Sequence, residues 1–425
     1  LVKQYRKMFA VEGVDLEFAP EALRAVAKLA LDRGTGARGL RAILEQVLQG
    51  IMFDIPDDLT IQKVTITPEC VRGEEEPVIT RAKAWLIRLL AIAAALVINA
   101  LIIYWLTGLN PVAVYKAMFD GSFSTKRKFW VLMQNTAMLL CIALAVTPAF
   151  KMRFWNLGAE GQVLIGALSS GALMFYIGDK LPSGVLILLM LCTALLSGVI
   201  WAGIPALFKA RFGTNETLFT LMMNYVAIQL VNTMIAVWVP SGSGVLGIMN
   251  SKTNNGWLPT VFGQKYALNI MIVALLTVFM FIYLKYSKHG YEITVVGESE
   301  NTARYIGIPV KKVILRTMLI SGAVCGMAGL LLVAGTDHTI SRDTAGGRGF
   351  TAIMVSWLAK FNPIYMILTS FLIVFLEKGA TEISTAFGLN ESFSDIITGI
   401  IIFFIIGCEF FIQYQIKFKE KEAAK

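Results

Sequence analysis

From about position 85 onward, apolar residues come in runs near the ~20 residues a helix needs to cross a bilayer, broken by short polar loops. In chain order these runs are Trp85–Leu106, Trp130–Phe150, Leu157–Ile177, Gly184–Phe208, Leu218–Val239, Tyr266–Tyr286, Val313–Gly335, Pro363–Glu377 and Ile396–Phe411. Pro111–Phe119 reads as a short amphipathic helix, and Phe350–Leu358 as a half-helix too short to span alone. Polar residues fill the loop Pro240–Lys265 and one longer insert, His289–Lys312. Within that insert Asn301, Arg304, Tyr305 and Ile308 have the i, i+3, i+4, i+7 spacing of one helix face. Ser299 is placed to cap such a helix, Glu298 and Glu300 suit its positive end, and Pro309 suits the start of the next one. The plainer reading of the same stretch is an ordinary inter-helix loop.

The first eighty residues are patterned differently. Val14–Phe18 and Lys63–Thr67 read as short strands and Pro77–Thr80 as extended chain. Helices are predicted from Pro20 to about Leu31 and from Ala37 to Phe53, with Thr35 a possible cap. The whole chain therefore predicts an all-α polytopic membrane protein of about ten transmembrane segments, preceded by a small α+β module. The expected boundary falls at Glu74–Lys83, giving a module over 1–80 and a membrane domain over 81–425.

Composition sharpens the membrane reading: 56% of the 425 residues are hydrophobic. A net charge of +9 does not point to nucleic acid, because most Lys and Arg stand at the ends of apolar runs, where they set orientation. With residues 1–80 cytosolic, alternate crossings put Lys151, Arg153, Lys209, Arg211, the Lys285–Arg316 region, Lys360 and the tail Lys417, Lys419, Lys421 on one side. Lys126-Arg-Lys128 is the exception and falls on the other. The five cysteines are scattered without metal or redox spacing, and the two histidines are isolated, so no metal site is expected.

Polar groups inside apolar runs need internal partners or a water-lined cavity. Asn156, Glu160 and Gln162 sit beside or within one run, with Gly158 and Gly161 permitting a break. Asn215, Glu216, Thr220 and Asn224 belong to another, with Thr220 and Asn224 at i, i+4 spacing. These seven are the candidate translocation path. Interhelical hydrogen bonding is the alternative for the Thr220–Asn224 stripe, and capping of a helix start for Glu160. Gly322 and Gly326 form a GxxxG pair suited to close helix packing.

The quoted motifs carry two resemblances. Val2-Lys-Gln-Tyr5, Glu12–Phe18, Thr35-Gly-Ala-Arg-Gly-Leu-Arg41 and Glu76-Pro-Val-Ile79 resemble the C-terminal small domain of the ClpX unfoldase. That likeness implies for Arg38 the role of a nucleotide sensor. No G-x-x-x-x-G-K-[ST] loop exists in the chain to complete a phosphate site, so Arg38 is expected to be vestigial, a solvated helix-start arginine. With Leu1 in place of Met, this segment is expected to be a fusion or fragment, lacking from the protein made in cells.

Trp155-Asn-Leu-Gly-Ala-Glu-Gly-Gln162, Gly213–Tyr225, Asn301–Ile308, Gly349–Ile353 and Asn362-Pro363 together resemble the permease subunits of bacterial ABC importers for nucleosides and simple sugars, within the ribose and branched-chain amino-acid transporter group. Asn110-Pro with Tyr115 brings the nucleoside branch nearest, while Trp357 and Lys360 depart from the family's small-residue helix. The resemblance implies a multi-pass protein of the bacterial cell membrane with both termini cytoplasmic. It implies a second permease subunit, an extracytoplasmic substrate-binding lipoprotein, and a separate ATPase docking on Glu298, Asn301, Ala303, Arg304, Tyr305, Gly307 and Ile308. No catalysis and no bound cofactor are then expected of this chain, and ATP is used by the partner. A ClpX-type regulatory fragment fused to a membrane protein, or an ion-coupled secondary transporter, are the competing readings. The second needs mid-membrane ionisable residues or inverted repeats, and neither is evident.

Overall fold

The computed structural model describes residues 1–11, 13–32, 36–55, 61–73, 75, 77–81, 84–239, 246–390, 396, 399–404 and 407. Thr35, most of the expected Ile396–Phe411 crossing and the tail lysines Lys417, Lys419 and Lys421 lie outside these residues. Two compact units make up the chain: Leu1–Ala113 with Asp395–Lys425, and Val114–Ser394.

The first unit begins with the α+β module. Its elements are α1 (Val2–Val11), β1 (Asp15–Phe18), α2 (Pro20–Asp32), α3 (Gly36–Asp54), β2 (Ile61–Ile66), α4 (Pro68–Arg72) and β3 (Val78–Arg81). The strands lie in the order β1-β2-β3, with β1 parallel and β3 antiparallel to β2. Alternation along β1 buries Leu16 and Phe18 and exposes Asp15 and Glu17, whose carboxylate pairs with Lys63 of β2. Phe9, Ala22, Leu48, Val64 and Ile66 close the core beneath the sheet. The hydrophobic pattern does not announce α1 or α4. α4 is a five-residue turn held by the Thr67 cap and Gly73 in the left-handed region (φ +77°). Arg38 lies in α3. Helix α5 (Ala84–Thr107) ends the described N-terminal part of this unit, before α6 (Pro111–Phe123) continues into the second.

The second unit is helical: α7 (Lys126–Lys151), α8 (Ala159–Ile177), α9 (Ser183–Phe212), α10 (Glu216–Trp238), α11 (Ala267–Tyr286), α12 (Lys288–Glu298), α13 (Glu300–Tyr305), α14 (Val310–Leu332), α15 (Arg348–Leu358) and α16 (Pro363–Phe387). Among the described residues seven helices are long and apolar enough to cross a membrane, or eight when the pair 93–107 and 111–123 counts as one broken span. The span of α14 is 78% buried and that of α7 72%, against 28% for α9 and α10, so α7 and α14 form the centre. α14 continues as one π-helical turn, Val333–Asp337, and ends at His338 with φ +52°. Trp257 stacks on that histidine at 3.7 Å, and Met249 N–H donates to its carbonyl.

Small residues make the centre tight. A Cβ placed on Gly166 of α8 would stand 2.5 Å from the Gly326 Cα of α14, and one on Gly322 would stand 2.5 Å from the Ala202 Cβ of α9. Lipid tails are as apolar as Leu, so close backbone approach of this kind is a main source of helix association in a bilayer.

Candidate functional site

Two constructions in the second unit gather the residues singled out by their chemistry. The first is the turn between α11 and α14. Ser287 caps α12, its Oγ accepting from the Gly290 N–H at 3.0 Å. α12 then buries Gly290, Glu292, Ile293, Val296 and Gly297. Gly297 lies directly on the Lys151 carbonyl at the end of α7, and Gly290 on the Tyr283 and Leu284 carbonyls of α11, so neither position has room for a side chain. Glu292, 8% exposed, accepts from Arg316 of α14 at 2.8 Å. This ion pair and the glycine contacts fix α12 to three helices of the bundle.

α13 rides on that platform. The Ser299 Oγ accepts from the Thr302 N–H at 3.2 Å, and Ala303 is the one residue the helix buries. Asn301, Arg304 and Tyr305 point outward, with Tyr305 92% exposed. Arg304 pairs with Glu300 at 3.0 Å, an exposed i, i+4 contact that orients the side chain more than it stabilises the fold. Ile308 does not share the outward face. The helix stops at Tyr305, Gly307 takes φ +85°, and Ile308 turns back to donate its N–H to the Ala303 carbonyl and pack on the core. Glu298 is exposed but belongs to the last turn of α12.

The second construction holds the start of α8. Between α7 and α8 the chain runs as loop through Asn156, and its backbone is satisfied by side chains. Asn156 is fully buried; its Oδ1 accepts from the Gly158 N–H at 3.0 Å and from Gln162 Nε2 at 3.2 Å, and its Nδ2 donates to Ser321 Oγ of α14. From α10, Thr220 Oγ1 accepts the Leu157 N–H at 3.1 Å. Asn224 spans the same loop, accepting from the Gly161 N–H at 2.8 Å and donating to the Leu157 carbonyl at 2.7 Å. Glu160 reaches the other way. Its two carboxylate oxygens accept the N–H groups of Gly347 (2.8 Å) and Gly349 (2.7 Å) at the start of α15, where the helix dipole favours an anion. Asn215 and Glu216 stand apart from this cluster. Asn215 caps α10 through the Leu218 N–H, and Glu216 pairs with Lys209 at 2.7 Å across the α9–α10 turn.

The family described as "Branched-chain amino acid transport system / permease component" matches residues 130–406, more than half of the chain. The chain belongs to this permease family. A second family, the C-terminal D2-small domain of ClpB protein, matches residues 1–65, within the module whose motifs resemble the ClpX small domain. Relatives of the permease include a glucose ABC transporter permease protein of Haloferax volcanii, 27% identical over 77% of this chain and 88% of the relative. A guanosine ABC transporter permease protein of Bacillus subtilis is 28% identical over 80% of this chain and 97% of its own length. A nucleoside ABC transporter permease protein of Lactococcus lactis is 26% identical over 80% and 96%.

Several buried polar residues in and around these constructions carry no readable signal in isolation. Ser321, Glu292 with Arg316, and the buried pair Thr147–Ser356 at 2.8 Å lie far apart in sequence and look like ordinary helix residues. Gly346-Gly-Arg-Gly349 is the exception: a glycine run opening a half-helix presents bare N–H groups, the feature that calls for an anion such as Glu160. Arg348 in that run donates to Asn135 Oδ1 of α7 at 2.9 Å, tying the half-helix to the bundle centre.

Proposed function

We propose that this permease is one half of the membrane channel of an ABC importer for a nucleoside or a simple sugar, driven by a separate ATPase that docks on α13. The observation that carries the reading is α13 itself: a capped one-turn helix with Tyr305 and Arg304 held out and Ala303 held in. Its mount, α12, is fixed to α7, α11 and α14, so a push on α13 is delivered to the helices that form the centre of the bundle. Lys151, Arg153, Lys285, Lys288, Lys311 and Lys312 stand at the same end, which supports a cytoplasmic position for it, and alternate crossings along the sequence assign both termini to the same side. The named substrates of the relatives, guanosine, nucleosides and glucose, support the solute class.

In this reading residues 81–425 are the transport domain and 1–80 a separate module that binds no nucleotide, with Arg38 a remnant. No cofactor is held by the chain, which assembles in the bacterial membrane with a second permease subunit and an extracytoplasmic solute-binding lipoprotein. Asn156, Glu160, Gln162, Thr220 and Asn224 shape the path by holding the α7–α8 loop and the start of α15 in place, and Asn215 and Glu216 hold the α9–α10 turn beside it.

Replacing Arg304 and Tyr305 together by Ala should abolish uptake of labelled nucleoside or sugar while the protein stays in the membrane. Tyr and Arg are residue types that often carry roughly 2 kcal/mol of interface free energy. Their joint loss should weaken ATPase association by roughly 30-fold or more. Normal uptake together with normal ATPase co-purification would remove α13 from the coupling role.

A further inference from the structure

The first turn of α7 carries Lys126, Arg127 and Lys128 and no acid. It places cations at the helix end whose dipole is already positive, an arrangement that helices normally avoid. It also breaks the side preference followed by the other basic clusters, since the far end of α7 packs on the platform of α13. Beside this turn a cavity of about 330 Å³ opens between α6, α7 and α16. Thr125, Arg127, Lys128, Lys378, Thr381 and Glu382 supply its polar lining, over a floor that includes Val131 and Leu132. Three cations thus face one carboxylate, and Glu382 is already engaged by Lys128 at 2.9 Å. Among the described residues Arg127 and Lys378 have no acidic partner.

The helices that form the cavity also carry exposed aromatic residues. Phe119, Phe123 and Phe129 are 57%, 37% and 40% exposed, with ring centroids 4.7 Å apart for the first pair and 6.3 Å for the second. Phe123 also meets Phe375 of α16 at 6.0 Å, and Phe129 meets Trp130 edge-on. Trp130 beside a basic helix start marks the depth at which bilayer meets water, which is also where phospholipid phosphates lie, and the phenylalanines belong to the apolar side of that boundary.

We propose that this cavity binds the headgroup phosphate of an anionic phospholipid. Arg127, Lys128 and Lys378 face the phosphate, the Thr125 and Thr381 hydroxyls are its neutral donors, and the acyl chains lie along the Phe119–Phe123–Phe129 ladder. The apolar floor and the exposed aromatic residues select a lipid over a free anion, because a soluble phosphate gains nothing from either.

The test reconstitutes the full chain in vesicles of equal parts phosphatidylglycerol and phosphatidylcholine, then extracts it in mild detergent and measures the retained lipids by mass spectrometry. The wild type should retain phosphatidylglycerol well above the vesicle ratio. R127A/K378A should bring retention down to that ratio, with apparent affinity falling roughly fivefold per cation removed, the equivalent of about 1 kcal/mol each. K180A/K252A, which removes lysines elsewhere, should change nothing, and R127K/K378R should keep the enrichment, showing that charge and not a folding defect is read. No enrichment in the wild type, or full enrichment in R127A/K378A, would overturn the proposal. Complete displacement of the lipid by excess inorganic phosphate would also overturn it, assigning the cavity to a free anion.

Discussion

Leucine at Gly326 should leave no folded permease. α8, α9 and α14 meet backbone to backbone at Gly166, Gly198, Gly322, Gly326 and Gly329, and a side chain on Gly326 would run into the Ala194 carbonyl of α9. Overpacking a core that can yield costs about 1–3 kcal/mol. Here the obstructing atoms are main-chain, so relief requires parting two spans of the bundle centre, and the cost approaches the whole ~5–15 kcal/mol by which folded proteins are stable. Size-exclusion chromatography of the detergent extract should show aggregate in place of a monodisperse peak, and uptake should be absent. Leucine at Gly184, which has open space and lies on the exposed side of α9, should behave as wild type. A monodisperse, active G326L protein would mean the three helices are not packed as described.

Removing the Glu160 carboxylate should be the next most damaging change. Each of its two charge-assisted bonds to Gly347 and Gly349 is worth about 1.5–3 kcal/mol, and a buried donor left without a partner carries a further penalty. Glutamine keeps one acceptor and turns an amide N–H₂ toward the other donor, so E160Q should destabilise by about 2 kcal/mol and E160A by about 4 kcal/mol. Thermal unfolding in detergent and uptake should fall together, in the order wild type, E160Q, E160A. Unchanged thermal stability with lost uptake would instead make Glu160 a solute contact, the other role its sequence position allows.

Much of the helical architecture is legible before folding because a bilayer imposes its own ruler. Runs of about twenty apolar residues have few other uses, and Phe350–Leu358 is visibly too short for one. Helix α12 escapes such a reading because its buried face is made of Gly290, Glu292 and Gly297 along with Ile293 and Val296, and two of those are glycines needed for contact with carbonyls. Spacing alone puts Ile308 on the face of Arg304 and Tyr305, whereas Gly307 ends the helix first, so a periodicity argument holds only as far as its helix does. The polar positions Asn156, Gln162, Thr220 and Asn224 stand out by type, yet their partners are backbone groups and side chains brought together by the fold. Hydrogen bonds such as Asn224 to Leu157, 67 residues apart, leave no trace in the order of residues.

Energy delivery through α13 is tested most directly by a photo-crosslinking amino acid at position 305, in cells that also express the partner ATPase. Irradiation should join the ATPase to the permease from position 305 and not from position 262, an equally exposed site at the opposite end of α11. An adduct from position 262 alone, or from neither position in an actively transporting complex, would contradict the account.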